Sequence, residues 1–322
     1  MLAELSRDEH ELLARIAHRS FIDRRTQGEI ASEFGLSRPK VQRLLDRARS
    51  AGVVEIHIDV PPGLDLDLES RLAETFHLAE AVVSSDQPDP ESQRGAVARN
   101  AARYLERALH DGDVVAVSHG RDTGAIPRYF HPTATIDCVF ASAMGGSSRV
   151  DVPTNPNEIS QALAERCGGR AQSLYAPAHL ESPALRRALL QHEAVTQTLE
   201  MAAGADVALV GIGGTDDACT MVRSGCLTIE EMTRLRAHGA VGDVLGNYVG
   251  IHGEHIKSPH SRRLIGLSID ELRQIGTVVA VVSGDEKPLS ILGVLNAGII
   301  DVLIVDERNA RAILDMASKG GA

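Results

Sequence analysis

Five short runs of almost wholly apolar residues, at 114–118, 136–141, 207–211, 278–283 and 302–305, constrain the fold of this chain more than any other feature. They are rich in Val and Ile and too short for buried helices. They also lack the polar alternation of a strand with one wet face, so each reads as a strand covered on both sides. Amphipathic stretches at 94–109, 158–167, 229–238, 268–275 and 287–297 lie between or beside them. Alternation of this kind predicts an α/β fold built on a doubly wound, mostly parallel sheet. Such sheets bind ligands at the carboxyl ends of their strands. Four of the runs lead into Ser118-His119-Gly120-Arg121-Asp122-Thr123-Gly124, Met144-Gly145-Gly146-Ser147-Ser148, Gly211-Ile212-Gly213-Gly214-Thr215 and Ser283-Gly284-Asp285-Glu286-Lys287. Glycine ends many strands for turn reasons alone. Four such ends on one sheet edge, with hydroxyls or charges beside bare backbone N–H groups, suit a phosphate or a polyhydroxylated ligand.

At 322 residues the chain accommodates two domains. Aromatic residues make up 3% of it and Trp is absent, which argues against a cleft of stacked rings for single-stranded nucleic acid. No apolar run approaches a membrane span and the N-terminus is polar, so a cytoplasmic protein with no membrane partner is expected. Cys138, Cys167, Cys219 and Cys226 are dispersed without a C-x-x-C pair, and read as reduced thiols rather than zinc ligands. His252, His255 and His260 lie in a Gly/Pro-containing stretch and read as loop residues. No metal and no cofactor is expected.

The net charge of −11 is unevenly divided. Between Ala14 and Ala51 there are nine basic residues against Asp23, Glu29, Glu33 and Asp46, about +5, on an otherwise acidic chain. A basic head on an acidic body suits a protein whose head approaches a polyanion, although an Arg-rich solvated surface has the same charge. The pattern from Thr26 to Arg49 separates the two. Thr26 and Glu29 form a capping box, Ile30, Ala31 and Phe34 supply an apolar face, and Gly35 suits a left-handed turn. Leu36 plugs the turn, Ser37 caps a second helix, and Pro39 falls in its first turn. Val41, Leu44, Leu45 and Ala48 then recur at helical spacing. An upstream helix at about 7–19, carrying Leu12, Leu13 and Ile16, completes a small three-helix module of helix-turn-helix type. Residues 51–58 alternate like a wing or exit strand. The expected DNA-contacting set is Thr26, Gln27, Ser37, Arg38, Pro39, Lys40, Gln42 and Arg43. Val60-Pro61-Pro62-Gly63 stops both helix and strand, giving a head at 1–60, a linker at 61–64 and an α/β domain at 65–322. Leu66, Leu68, Leu72 and Phe76 mark a helix that is either a dimer-contacting linker or, preferably, the first helix of the second domain.

The segment T-Q-G-E-I-A-S-E-F-G-L-S-R-P-K-V-Q-R-L-L resembles the head of the SorC family of sugar-responsive transcription regulators. Over 65–317 the stretches V-A-V-S-H-G-R, V-G-I-G-G, A-V-G-D-V-L-G, R-R-L-I-G-L-S and V-S-G-D-E-K resemble, in order, the family's effector domain, which is related to sugar-phosphate isomerases and deaminases. The resemblance implies a regulator of a double-stranded operator. It further implies a small sugar, sugar-phosphate or polyol effector and a homodimer or homotetramer. It places effector contacts on Ser118, Gly120, Arg121 and Asp122, on Gly145 and Gly146, on Asn157, Arg223 and Asp243, and on Lys287, beside the strand-end Gly213. The family loop usually has Thr where Asp122 stands. Either Thr123 takes over that role, or the site prefers a less charged ligand. The rival expectation is a sugar-phosphate isomerase or deaminase carrying a DNA-binding head, which would need a carboxylate base such as Asp243.

Overall fold

The computed structural model describes residues 6–55, 65–147, 155–284 and 287–320, and the chain divides into two compact units, Met1–Pro61 and Pro62–Ala322. In the first, α1 (Arg7–Ala17) runs into a π-helical turn (His18–Ile22), followed by α2 (Gln27–Phe34) and α3 (Arg38–Ser50). Both halves of the Thr26–Glu29 capping box form, and Gly35 ends α2 at φ 64°, a conformation that spares a glycine the Cβ clash. Ser37 stands at the N-cap of α3 with Pro39 in the first turn, but its hydroxyl makes no capping hydrogen bond. Leu13, Ile16, Ile30, Val41, Leu45 and Ala48 are buried between the three helices. The expected strand at 51–58 differs: Ala51 to Glu55 form a turn and bends, and Ile56, His57 and Ile58 lie outside the described residues.

The second unit opens on α4 (Leu66–Phe76), whose Leu68 and Leu72 pack into the same apolar cluster as Ala81 and Ile313; α4 is thus the first helix of this unit. Seven strands form its sheet: β1 (Glu80–Ser84), β2 (Val114–Val117), β3 (Val139–Ser142), β4 (Arg170–Gln172), β5 (Val207–Gly211), β8 (Thr277–Val282) and β9 (Val302–Asp306). Their order is β1-β9-β8-β5-β2-β3-β4 and every pairing is parallel. β6 (Gly242–Val244) and β7 (Asn247–Val249) form a separate antiparallel hairpin. The helices are α5 (Pro90–Ala108), α6 (Arg121–Ala125), α7 (Pro156–Cys167), α8 (Pro183–Leu189), α9 (Glu193–Ala203), α10 (Thr220–Arg223), α11 (Ile229–Ala237), α12 (Ile269–Leu272), α13 (Pro288–Asn296) and α14 (Glu307–Gly320). α12 is a single turn where the sequence suggested a helix over 268–275.

Alternate residues of each central strand face opposite layers, as the pleat requires. Val115, Val117, Val279 and Val281 pack with α5 and α7. Ala116, Ala280 and Val282 pack with α4, α13 and α14. The four glycine-ended strands, β8, β5, β2 and β3, are contiguous in the sheet. From β2 the chain moves outward through β3 to β4, then returns to β5 and continues the other way to β8 and β9. The order therefore reverses between β2 and β5, where a crevice opens outside the carboxyl ends of the strands.

Candidate effector pocket and nucleic-acid face

At that reversal lies a pocket lined by His119, Gly120, Arg121, Gly213, Asp243 and Lys287. Gly120 sits at φ 146° and turns the chain from β2 into α6. Arg121, in the first turn of α6, makes no hydrogen bond or ion pair among the described residues. The hairpin reaches the pocket through Gly213: the two backbones exchange hydrogen bonds, Gly213 N to Asp243 O at 2.9 Å and Asp243 N to Gly213 O at 3.0 Å. A Cβ on Gly213 would stand 2.0 Å from the Asp243 Oδ1 atom, so only glycine fits there with Asp243 in place. The other carboxylate oxygen accepts from Gly246 N at 2.9 Å, within a two-residue turn in which Leu245 (φ 53°) and Gly246 (φ 75°) are both left-handed. Burial pushes the Asp243 carboxyl up to about 6, against the pull of the Gly246 N–H and the charge of Lys287. Near neutral pH this carboxylate is within reach of its protonated form.

Asp122 does not stand as a bare anion facing the pocket. It is 6% exposed, and its carboxylate accepts from Ser283 Oγ at 2.6 Å, Ser283 N at 3.2 Å and Lys287 Nζ at 3.0 Å, with Arg94 Nε 3.4 Å away. Burial opposes its ionisation, but Lys287, the Ser283 bonds and Arg94 together hold the carboxyl below its ordinary value. The repulsion of phosphate expected from the sequence is therefore matched by two cations, and Lys287 is engaged rather than free. With these side chains in place the pocket encloses only about 50 Å³. Pockets for small ligands commonly enclose about 300–1,000 Å³. A sugar-sized ligand requires side chains here to move.

Other expected contacts are occupied elsewhere. Ser118 is buried; its hydroxyl accepts from Gly211 N at 3.0 Å and donates to His119 O, tying β2 to β5. Thr123 is fully buried and donates to Gly120 O at 3.2 Å, so it does not take over a ligand-facing role in this arrangement. Asn157 Oδ1 accepts from Ser142 Oγ at 2.6 Å and Leu174 N at 2.8 Å, and its amide donates to Leu174 O. Gly145 packs where a Cβ would meet the Pro177 carbonyl at 2.5 Å. Gly146 lines an adjoining groove with Asn155, Pro177 and His179, and Arg223 is exposed at the end of α10, outside the lining of the pocket. Sequence reasoning named Ser283 only as part of a strand-end run and missed Arg94; they complete the Asp122 cluster from the end of β8 and from α5.

In the head, four of the basic residues are ion-paired, while Arg24, Arg49 (over the Phe21 ring) and three at the start of α3 are not, among the described residues. Arg15, Arg19, Arg25 and Arg47 are ion-paired to Glu11, to Asp23 and Glu33, to Glu33, and to Glu9. Arg38, Lys40 and Arg43, all exposed near the start of α3, make no ion pair among the described residues. Gln27 donates to Gln42, which in turn donates to Asp46 at 3.0 Å, so the start of α2 is tied to the outward face of α3.

Residues 60–315 match the family model described as "Putative sugar-binding domain". The erythritol catabolism regulatory protein EryD of Brucella abortus is 30% identical over 94% of this chain and 96% of its own length. The transcriptional regulator LsrR of Klebsiella pneumoniae is 31% identical over 98% of this chain and 96% of its own. The full-length sorbitol operon regulator SorC of Klebsiella pneumoniae superposes with a TM-score of 0.73 at 28% identity, covering 95% of this chain and 99% of that one. The chain belongs to the SorC family of sugar-binding transcription regulators. Its α/β unit also superposes on the sugar-binding domain of a Vibrio fischeri transcriptional repressor, TM-score 0.74 at 37% identity over 79% of this chain and all of that one. These relatives are transcription regulators, so the isomerase or deaminase expectation gives way to that of a sugar-responsive regulator. Among the described residues of this regulator, no helix is long and apolar enough to cross a membrane.

Proposed function

We propose that this regulator holds double-stranded operator DNA through the start of α2 and the outward face of α3, and that a small sugar, sugar phosphate or polyol at the ends of β2, β5 and β8 changes its operator affinity. The observation that carries the reading is the pocket at the strand-order reversal. There Arg121, which has no partner among the described residues, a carboxylate poised near pH 6 and Lys287 converge on glycine backbone. A polyol suits this set, since its hydroxyls donate to Asp243 and accept from Arg121. Two relatives carry polyols, erythritol and sorbitol, in their names. The same cations also accommodate a phosphate once Lys287 leaves Asp122.

The operator is read by a homodimer or homotetramer in the cytoplasm, with heads at 1–60 joined through 61–64 to effector domains at 65–322. A thermal-shift screen of free and phosphorylated sugars and polyols tests the sensor. A ligand at one hundred times its Kd stabilises its site by about 2.7 kcal/mol. The hit should lose this effect in Arg121→Ala and should alter operator binding only in the wild type. A ligand that protects Arg121→Ala and Lys287→Ala as well as the wild type would place the site elsewhere.

A further inference from the structure

Eight buried polar side-chain atoms have no hydrogen-bond partner among the described residues, and six of them belong to one cluster outside the strand-end pocket: both ring nitrogens of His260, His179 Nε2 and the hydroxyls of Tyr248, Ser258 and Ser261. His260 is 3% exposed, stacks on His179 with ring centroids 4.6 Å apart, and meets Tyr248 edge-on at 5.9 Å. Buried polar groups ordinarily find partners, so such a concentration calls for an explanation, and two of these residues, Ser258 and His260, also line a cavity. A neutral imidazole offers one N–H and one lone pair, and a hydroxyl likewise both donates and accepts. Burial holds His260 far below its ordinary value, at about 3, and so uncharged.

Beside His260 and Ser258 opens a cavity of about 300 Å³, which shares no lining residue with the strand-end pocket. Its wall carries Arg234, Lys257 and Arg263 against a single acid, Glu231. That acid is spent: it accepts from Thr228 N in the α11 capping box and pairs with Arg263. Lys257 makes no hydrogen bond or ion pair among the described residues, and Arg234 engages only its Nε, on Glu230 O at 3.3 Å. Cationic walls disfavour a metal ion, and no cluster of three metal-ligating side chains occurs among the described residues. A wholly apolar occupant would leave the imidazole and the serine hydroxyl unpaired.

We propose that this cavity is a second small-molecule site of the effector domain, taking a hydroxylated organic phosphate whose anionic group lies between Lys257 and Arg234 and whose hydroxyls pair with Ser258 and His260 after these two side chains turn their buried polar atoms toward it. The proposal does not rest on the strand-end reading, and the test separates them. The full chain carrying Arg121→Ala and Lys287→Ala, with labelled histidine, is titrated with glycerol phosphate, inorganic phosphate and glycerol while the His260 and His179 imidazole resonances are followed. Glycerol phosphate should shift both signals saturably and bind more tightly than inorganic phosphate or glycerol. Adding Lys257→Ala and Arg234→Ala, both at exposed positions, should weaken it by roughly tenfold or more. The absence of a saturable shift, a shift that survives both rim substitutions, or equal affinity for inorganic phosphate would each overturn the site.

Discussion

Asp122 shows how far a single residue's role depends on neighbours distant in sequence. From the loop alone it reads as an anion where the family resemblance implies a hydroxyl. In the fold it joins α6 to the end of β8 through Ser283 and Lys287 and faces Arg94 from α5. No spacing rule links Asp122, Arg94 and the Ser283–Lys287 connection, because they arrive from α6, α5 and the end of β8. Asp122→Asn keeps the shape and removes the charge. We expect it to destabilise the fold by about 2 kcal/mol, since Lys287 and Arg94 lose their counter-ion. It should also raise the affinity of phosphorylated ligands relative to their free forms by freeing Lys287. Chemical denaturation and paired calorimetric titrations measure the two effects, and an unchanged affinity ratio would show that Lys287 does not reach the ligand. The glycines divide similarly. Gly213→Ala collides with a movable carboxylate and should abolish effector binding with modest loss of stability. Gly145→Ala collides with the Pro177 backbone and should cost more stability. Equal denaturation midpoints for the two variants would contradict this.

The elements legible in the sequence are those covered on both faces. β2, β5, β8 and β9 fall on the apolar runs, and β3 is displaced by a few residues because Ile136 belongs to the approach to the strand. β1 and β4 escaped because they are the two edges of the sheet. Glu80, Arg170 and Gln172 are tolerated there, so no apolar run announces them. The hairpin escaped because three-residue strands are too short to show alternation, though it delivers Asp243. The helix-turn-helix was legible because its signals are local: caps, a left-handed glycine and helical spacing. The proposed recognition element, the start of α3, yields a prediction of its own. Arg38→Ala and Arg43→Ala should each weaken operator binding roughly tenfold, and they should flatten its salt dependence. Arg15→Ala, which removes a residue already paired with Glu11, should leave it nearly unchanged in a gel-shift titration at several salt concentrations. A loss as large for Arg15→Ala as for Arg38→Ala would mean that the head acts by net charge alone.

At the scale of the molecule, buried histidines add to the acid sensitivity that Asp122, held below its ordinary value, also brings. Burial lowers His119 to about 4 and His260 to about 3, and lowers His179 as well, whereas the unfolded chain takes up these protons near 6.5. Their stabilisation is complete above 6.5 and is lost progressively as the pH falls toward 3. Asp243 runs the other way. Its folded value near 6 exceeds the unfolded 3.8, so the fold gains relative to the unfolded chain as the pH falls from about 6 to 4. Asp243→Asn should therefore stabilise the protein at neutral pH and steepen its acid limb. Denaturation midpoints measured across this range check both, and parallel curves for variant and wild type would remove the assignment. The closed Asp122–Lys287 contact has a consequence for a sensor bathed in metabolites. Millimolar inorganic phosphate and chloride are a constant background in a cell. A pocket whose lysine already has a counter-ion gives such ions little reason to enter. If the proposed site is right, a ligand that also engages Arg121 and Asp243 would offer several contacts at once and outcompete the resident carboxylate. The resting pair would then act as a threshold that filters out common anions.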